Sequence, residues 1–159
     1  MEAGMKAFLR FSDRFMTADT LGGSTCAAYS YETYQRDTNE LVVMGFAMGA
    51  QGKALSDMGE AAALQALLDE LDEMFDGRAS ASYVDHLFVD WYKEPFIRGA
   101  YSYPRVGANE DTREVIARPG DNKLFFAGEA TNFNGHHQTV HGAVESAYRE
   151  VQNLLQSVL

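Results

Sequence analysis

The sequence predicts an α+β fold, with a mixed or antiparallel sheet, one long helix, and a C-terminal strand followed by a helix. Short stretches rich in bulky and β-branched residues occupy much of the first half of the chain, and this composition is typical of strands. Leucines at three- and four-residue spacing in the middle of the chain indicate an amphipathic helix. A second amphipathic stretch closes the chain after a short apolar run.

Four segments have the composition of strands, at residues 5–11, 25–33, 40–48 and 83–92. The first alternates loosely between apolar and polar residues, as a strand with one buried face does. Between the second and the third, residues 36–39 are polar and predict a hairpin-like connection.

The clearest helix follows Ser56, which has the residue type of an N-cap. Gly77 lies just past the predicted end, where a residue of left-handed conformation is favoured. Acidic residues between 60 and 73 occupy the face that is expected to meet solvent. The apolar stripe of this helix consists of Leu64, Leu67, Leu68, Leu71, Met74 and Phe75.

The later part of the chain reads as loop, strand and helix. Residues 94–104 are predicted as a loop because Pro95 and Pro104 exclude a helix. Residues 109–122 are polar and predict a surface connection, and residues 124–127 predict a short buried strand. The closing helix has an apolar stripe made of Val140, Ala143, Val144, Ala147, Val151, Leu154, Leu155 and Val158.

Composition excludes several classes of protein. With 159 residues and 46% hydrophobic residues, the chain can build one ordinary core and is not of the disordered class. A net charge of −10 argues against a nucleic-acid partner. No apolar run is long enough to cross a bilayer and no secretory signal is present, so we expect no membrane association and a cytoplasmic location. The single cysteine, Cys26, cannot form an internal disulfide and fits a reducing compartment.

Two late segments predict a site for an anionic group. Residues 123–131, Lys-Leu-Phe-Phe-Ala-Gly-Glu-Ala-Thr, place a glycine turn and the carboxylate of Glu129 after an apolar run. Residues 139–147, Thr-Val-His-Gly-Ala-Val-Glu-Ser-Ala, then begin a helix. The free N–H groups and the positive dipole end of a helix start favour an anion placed before it.

Two earlier segments complete a recognisable pattern. They are residues 91–103, Trp-Tyr-Lys-Glu-Pro-Phe-Ile-Arg-Gly-Ala-Tyr-Ser-Tyr, and Lys6 within Met-Lys-Ala-Phe-Leu-Arg-Phe. In this order, and over nearly the whole chain, the segments resemble the flavin-dependent amine oxidases, which include monoamine, polyamine and histone-demethylating oxidases. The resemblance implies FAD as cofactor, a small-molecule amine as substrate, and hydride transfer from an amine carbon to flavin N5.

The resemblance assigns roles to three residues of the first two segments. Lys6 corresponds to the lysine that holds a water against flavin N5, where its charge also stabilises charge that develops in the flavin. Trp91 packs near the flavin. Tyr101 forms one aromatic wall of the substrate cage, since aromatic faces can orient an amine and exclude water.

The late segments acquire cofactor-binding roles in the same way. Gly128 and Glu129 lie in the turn that contacts the ribityl and pyrophosphate region of FAD. Thr139 stands where some members carry a second cage tyrosine, so it is assigned to both the cofactor and the substrate. Val140 begins the helix that faces flavin N1 and O2, where reduction places negative charge.

The resemblance also predicts how the flavin is held. Ala100 stands where the mitochondrial monoamine oxidases carry a cysteine bonded to the flavin, and an alanine cannot form that thioether, so the FAD is expected to be non-covalent. The doublet of His136 and His137 has no cysteine or second histidine pair at zinc-ligand spacing, so no metal is expected.

One part of the family pattern is missing. The dinucleotide-binding turn G-x-G-x-x-G is absent, and the glycines within residues 45–52 have the wrong offsets. The chain therefore resembles only the C-terminal part of such an enzyme. Residues 1–106 correspond to a substrate-binding-domain segment and residues 107–159 to the last strand and helix of the FAD-binding domain, expected to form one compact unit.

The missing half has consequences for activity and assembly. We expect weak or no FAD retention and no oxidase turnover by this chain alone. The apolar stripe of the last helix should be covered by the chain's own sheet or by self-association, and a partner or an upstream segment would supply the dinucleotide half. Two alternatives remain open: a related FAD oxidoreductase of the carotenoid desaturase or protoporphyrinogen oxidase type, and a non-catalytic α+β module from a truncated gene.

Overall fold

A computed structural model of the chain describes residues 3–18, 20–26, 28–31, 41–109, 111–121 and 123–158. They form two compact units, Glu2–Ala100 and Tyr101–Leu159. The main apolar core lies entirely within the first unit, while much of what the second unit buries is polar. The division expected at residue 106 and the assignment of its two parts to a substrate-binding and an FAD-binding domain stay predictions.

The first unit contains a five-stranded sheet, which together with the helices confirms the α+β class. The spatial order is β2-β3-β4-β1-β5, and all neighbouring strands are antiparallel. The four predicted strands are present: β1 begins one residue earlier than predicted, the other three have narrower limits, and β2 is an additional short strand. The hairpin connection predicted at residues 36–39 lies outside the described residues. The strands are β1 Gly4–Phe11, β2 Thr20–Leu21, β3 Ala28–Tyr31, β4 Leu41–Met48 and β5 Tyr83–Asp90.

The helical part of the first unit corrects one prediction. The predicted long helix is α2 (Glu60–Met74), and an additional helix, α1 (Gly49–Met58), precedes it, so Ser56 lies buried inside α1 instead of capping a helix. The break occurs at Gly59, whose φ of 81° is a conformation that other residues rarely adopt. The predicted end is confirmed, because Gly77 has a φ of 79° and donates its N–H to Asp72 O at 3.0 Å.

The core of the first unit forms between α2 and one face of the sheet. Alternation along β1 buries every second side chain. The helix contributes its apolar stripe, and a short helix α3 (Arg78–Ser82) leads from α2 into β5. Among the members of this core are Met5, Ala7, Leu9, Tyr29, Val43, Ala63, Leu67 and Leu71, all nearly inaccessible to solvent.

The described residues of the second unit form two helices and one 3₁₀ turn. A helix α4 (Asp111–Ala117) forms within the segment that the sequence predicts as a surface connection. A 3₁₀ turn at Glu129–Thr131 precedes the long closing helix α5 (Val140–Val158), which confirms the predicted final helix. Neither α5 nor any other helix in the described part of the chain is both long and apolar enough to cross a membrane.

The buried strand predicted at residues 124–127 does not form. Its first residue, Leu124, makes only an isolated bridge with Gly120, and the side chains of Leu124 and Phe126 are 61% and 43% exposed. A strand requires a neighbour for its hydrogen bonds, and the described residues of the second unit offer none. The apolar pattern is present in the sequence, but the described part of this unit holds no partner strand for it.

The helix α5 has an unusual distribution of burial. Its buried residues are Gly142, Ser146 and Glu150, which are small or polar. Its apolar stripe is exposed within the described part of the chain, and what covers the stripe stays a prediction. The exposed apolar side chains are Val140, Val144, Tyr148, Val151, Leu154, Leu155 and Val158.

Candidate active site

Lys6 stands on the outer face of the sheet in the first unit. Its neighbours along β1, Met5 and Ala7, are buried in the core, so the alternation of the strand directs Lys6 to the opposite face. The register places Lys6 between Phe46 on β4 and Val89 on β5. Its Nζ lies 5.6 Å from the centroid of the Phe46 ring. The Lys6 amine thus lies beside the partly exposed apolar side chains of Phe46 and Val89. An exposed apolar surface of this kind is suited to binding a ligand.

Trp91 lies in the turn that follows β5. Asp90 holds this turn, because its carboxylate accepts the N–H of Tyr92 at 3.1 Å and the hydroxyl of Ser56 at 2.7 Å. Gly99 closes the loop by donating its N–H to the carbonyl of Trp91 at 3.0 Å. Trp91 is 38% exposed, so its ring is available for contact with a ligand and does not belong to the core.

Ala100 packs directly on β1. An ideal Cβ built on Gly4 would lie 2.2 Å from the Cβ of Ala100, so glycine is required at position 4 for this approach. The Ala100 methyl group, which the resemblance matches to the flavin-bonded cysteine, therefore lies against the strand that carries Lys6. It has no sulfur with which to bond a cofactor.

The start of α5 in the second unit is capped by Thr139. Its Oγ1 accepts the N–H of Gly142 at 3.0 Å, and its backbone carbonyl accepts the N–H of Ala143 at 3.1 Å. The N–H groups of Val140 and His141 precede the first helical hydrogen bond and have no intrahelical acceptor. The helix start therefore offers two N–H donors and a positive dipole end to an anionic group. The Thr139 hydroxyl is occupied in the cap and in a hydrogen bond to His136 O at 2.6 Å.

Gly128 and Glu129 join the 3₁₀ turn to the rest of the second unit. Gly128 has a φ of 139° and donates its N–H to Ser146 Oγ on α5 at 2.8 Å. The Glu129 carboxylate accepts hydrogen bonds from the backbone N–H of Ser102 at 2.6 Å, the hydroxyl of Ser102 at 2.8 Å and the N–H of Gln138 at 2.7 Å. Glu129 thus connects the segment after Tyr101 with the segment before Thr139.

Tyr101 begins the second unit and is half-buried. Burial raises the pKa of the Tyr101 phenol further above pH 7 than its ordinary value, and the phenol is neutral at that pH in either case. The uncharged ring can act as an apolar wall, which is the role that the resemblance assigns to it.

The predicted site residues fall into two groups. The second unit brings together Tyr101, Gly128, Glu129, Thr139 and Val140 around the start of α5. Lys6 and Trp91 belong to the first unit. The role of each residue in catalysis or binding stays a prediction.

Sequence reasoning did not single out the residues that hold this region together. Ser102, Arg113 and Gln138 hydrogen-bond around Glu129, and their isolated polar side chains lie in segments predicted as loop or connection. Asn132 is buried and its Oδ1 accepts the N–H of His136 at 3.1 Å. One feature of the sequence could have indicated two of them: Ser102 is next to the predicted site residue Tyr101, and Gln138 is next to Thr139.

The histidines near α5 take part in a hydrogen-bond network. His136 Nδ1 lies 2.9 Å from Glu145 Oε1, and the His136 and His141 ring centroids are 4.9 Å apart. Hydrogen bonds from His136 and Asn132 lower the pKa of the Glu145 carboxyl below its ordinary value. The described ranges contain no group of three or more His, Cys, Asp or Glu side chains arranged to hold a metal ion.

Comparison with known proteins identifies the family. A model of the flavin containing amine oxidoreductases matches residues 1–155. The chain belongs to this family. Among its relatives, the lysine-specific histone demethylase 1B of Mus musculus is 31% identical over 121 residues, which is 76% of this chain and 14% of the relative.

Two other amine oxidoreductase relatives cover a similar share of the chain. The lysine-specific histone demethylase 1 homolog 2 of Oryza sativa subsp. japonica is 30% identical over 80% of this chain and 16% of its own length. The peroxisomal N(1)-acetyl-spermine/spermidine oxidase of Bos taurus is 30% identical over 72% of this chain and 23% of its own length. The chain therefore spans less than a quarter of each of these relatives.

Membership of this family implies a flavin cofactor, and the residues present are compatible with one. The start of α5 offers backbone donors of the kind that an electron-rich flavin edge or a phosphate requires. The outer sheet face combines Lys6 with aromatic and aliphatic side chains, which suits a planar apolar ring. Each unit thus presents a feature that a flavin needs.

Proposed function

We propose that this chain is the C-terminal part of an FAD-dependent amine oxidase that becomes active when a dinucleotide-binding half completes it. The observation that carries the proposal is the match of the amine oxidoreductase family over residues 1–155. It is supported by Lys6 on the open sheet face and by the capped start of α5. The absence of a G-x-G-x-x-G turn in the sequence supports the need for the second half.

In this proposal the substrate is a small-molecule amine. FAD, when bound, supplies the acceptor at N5 for the hydride that leaves the amine carbon. Lys6 orients a water at that position, and Trp91 and Tyr101 provide aromatic surfaces that orient the amine and exclude bulk water. In the second unit, Gly128, Glu129 and the backbone at Thr139 and Val140 contact the cofactor.

The proposed attachment of the cofactor is non-covalent. Ala100 supports this, because its methyl group packs on Gly4 and offers no thiol for a thioether. A cytoplasmic location is part of the proposal and is supported by Cys26, the single cysteine of the chain. Burial raises the pKa of the Cys26 thiol to about 12, so the thiolate form that oxidises readily is scarce.

The exposed stripe of α5 supports a missing partner surface. Val144, Val151, Leu155 and Val158 are each about half exposed or more, and a contiguous apolar surface of this kind indicates an interface. We propose that the remainder of the FAD-binding domain covers it, on the same polypeptide or on a separate one. Self-association through the same stripe is the competing possibility.

The first test is a titration of the purified chain with FAD, followed by flavin fluorescence. We expect weak quenching or none for the chain alone, and a yellow complex after co-expression with a dinucleotide-binding half encoded nearby. Formation of that complex should abolish binding of a hydrophobic dye to the α5 stripe. A chain that remains colourless and dye-binding with such a half would contradict the proposal and favour a non-catalytic module.

The second test concerns Lys6. In the flavin-loaded complex, Lys6→Met should slow flavin reduction or reoxidation by about tenfold or more, since it removes a group that positions water and stabilises developing charge. The affinity for FAD should not change. Lys53→Met, which removes an exposed lysine paired with Asp57 on α1, is the control. Stopped-flow kinetics equal to those of the unmodified complex would remove Lys6 from the mechanism.

A further inference from the structure

Four residues of the second unit form a connected group around Ser102, which we call the Ser102 clasp: Ser102, Arg113, Glu129 and Gln138. The Ser102 N–H and hydroxyl donate to the two carboxylate oxygens of Glu129 at 2.6 and 2.8 Å. Gln138 donates its backbone N–H to Glu129 at 2.7 Å and its side-chain amide to the Ser102 carbonyl at 2.6 Å. Arg113 on α4 donates to Ser102 Oγ at 2.7 Å and to Ala130 O at 3.1 Å.

The chemistry of the groups fixes the direction of each hydrogen bond. A guanidinium can only donate, so Ser102 Oγ accepts from Arg113 and must direct its own hydrogen to Glu129. An ionised carboxylate has about four acceptor positions. The described residues fill three of them with the N–H and hydroxyl of Ser102 and the N–H of Gln138, which leaves about one position that they do not fill.

The clasp fixes an uncommon backbone conformation. Gln138 has a φ of 65°, and a residue with a side chain adopts this region only where surrounding contacts hold it. Two hydrogen bonds, one from the backbone and one from the side chain of Gln138, provide that restraint. The next residue, Thr139, caps α5, so the conformation of Gln138 sets the direction in which the cap and the helix start point.

Two residues of the clasp are sequence neighbours of predicted site residues. Ser102 follows Tyr101, and Gln138 precedes Thr139; consecutive Cα atoms are about 3.8 Å apart. Fixing Ser102 to Gln138 through Glu129 therefore fixes the separation between the proposed cage wall and the helix start. The family assignment gives Glu129 a contact with the cofactor, but the geometry gives it three contacts within its own chain.

We infer that the Ser102 clasp is a positioning device, in which Arg113 and Glu129 hold the Tyr101 segment at a set distance from the start of α5. Glu129 acts through Tyr101 and Thr139 in addition to any contact of its own with a cofactor. Arg113 acts indirectly, because it sets the direction in which the Ser102 hydroxyl donates its hydrogen. The link to amine oxidation rests on the proposed function, but the clasp itself is a property of this chain and can be tested without flavin.

The first test is amide hydrogen exchange measured by NMR on the full chain without cofactor. Arg113→Gln and Ser102→Ala should accelerate exchange at the amides of Ser102 and Gln138 by about tenfold or more, while the amides in the middle of α5 keep their protection. Arg118→Gln removes the same charge from an exposed arginine just after α4 and should change neither amide. Unchanged exchange at both clasp amides, or equal acceleration throughout α5, would overturn the inference.

The second test uses the flavin-loaded complex and separates positioning from simple stability. Arg113→Gln should lower kcat for the amine by about tenfold, because a misplaced cage wall disturbs the reactive geometry, and this loss should exceed any loss of FAD affinity. Arg113→Lys, which keeps a donor of positive charge, should recover part of the loss. A variant whose kcat equals that of the unmodified complex would contradict the inference. If no protein binds flavin at all, the proposed function fails while the exchange experiment still decides the clasp.

Discussion

Replacing Glu70 with alanine should lower the free energy of unfolding of the first unit by about 3–5 kcal/mol. The Glu70 side chain projects from α2 into the loop between β2 and β3, where it is 8% exposed. Its carboxylate accepts the N–H groups of Ser24 and Thr25 at 2.5 and 2.9 Å and the hydroxyl of Tyr29 at 2.5 Å. Alanine would leave these donors without their acceptor, and Tyr29 is fully buried.

The measurement is chemical denaturation followed by fluorescence, because Trp91 is the single tryptophan and lies in the first unit. Glu73→Ala is a matched control, since Glu73 is an exposed carboxylate on the same helix beside the same surface cleft. The control should change the free energy of unfolding by about 0.5 kcal/mol at most. Equal stability of the two variants would show that the hydrogen bonds of Glu70 contribute nothing net.

The same residue gives the first unit a defined response to acid. Burial alone would raise the pKa of the Glu70 carboxyl, but hydrogen bonds from Ser24, Tyr29 and Thr25 outweigh it and lower the pKa from 4.5 to about 2. A depressed pKa contributes stability above the unfolded-state value, and that stability is lost as pH falls from about 4.5 to about 2. The loss should approach about 3 kcal/mol. Glu70→Gln should lack this component, so parallel acid profiles for the two proteins would contradict the prediction.

Periodicity predicted most of the first unit because its burial pattern is local. The alternation of β1 and the leucine stripe of α2 each place apolar side chains on one face, and both faces meet in the core. The break at Gly59 was not predictable in the same way. A glycine within an amphipathic pattern can be tolerated in a helix or can break it, and only the folded chain shows that Gly59 adopts the positive φ that breaks this one.

The apolar run at 124–127 shows a different limit of sequence reasoning. Its composition indicates a strand that is buried on both faces, but such a strand forms only beside other strands. Within the second unit the described residues provide no such neighbour, and Leu124 is left exposed. The exposed stripe of α5 is a second apolar pattern that the described residues leave uncovered. Both features support the proposed missing half of the FAD-binding domain.

The candidate site also has one part that the sequence could predict and one part that it could not. The position of Lys6 on the outer sheet face follows from the alternation of β1, so a sequence pattern could predict it. The Ser102 clasp could not be predicted, because its hydrogen bonds join residues as far apart as Ser102 and Gln138, which are separated by 36 positions. Polar residues in loops have no period, so only the folded chain shows which of them meet.

Replacing Gly142 with alanine should destabilise the second unit by about 2–3 kcal/mol, although the same change in an ordinary helix stabilises by about 1 kcal/mol. An ideal Cβ at Gly142 would lie 1.8 Å from the carbonyl oxygen of His136 and 2.7 Å from its carbonyl carbon. Real Cβ atoms do not approach backbone atoms so closely. The segment that contains His136 cannot move away freely, because hydrogen bonds hold it. Buried Asn132 accepts the His136 N–H at 3.1 Å and donates to Gly142 O at 3.2 Å.

The glycine also couples stability to the proposed site. Thr139 Oγ1 donates to the same His136 carbonyl at 2.6 Å while it caps α5 through Gly142, so a displaced His136 must disturb the cap. Thermal unfolding followed by circular dichroism should show the loss for Gly142→Ala, with Ser157→Ala at the exposed far end of α5 as the control. In the flavin-loaded complex, affinity for FAD should fall for Gly142→Ala alone. A Gly142→Ala protein as stable as the unmodified chain would mean that the loop yields without cost, and the start of α5 would then not be rigid enough to position a cofactor.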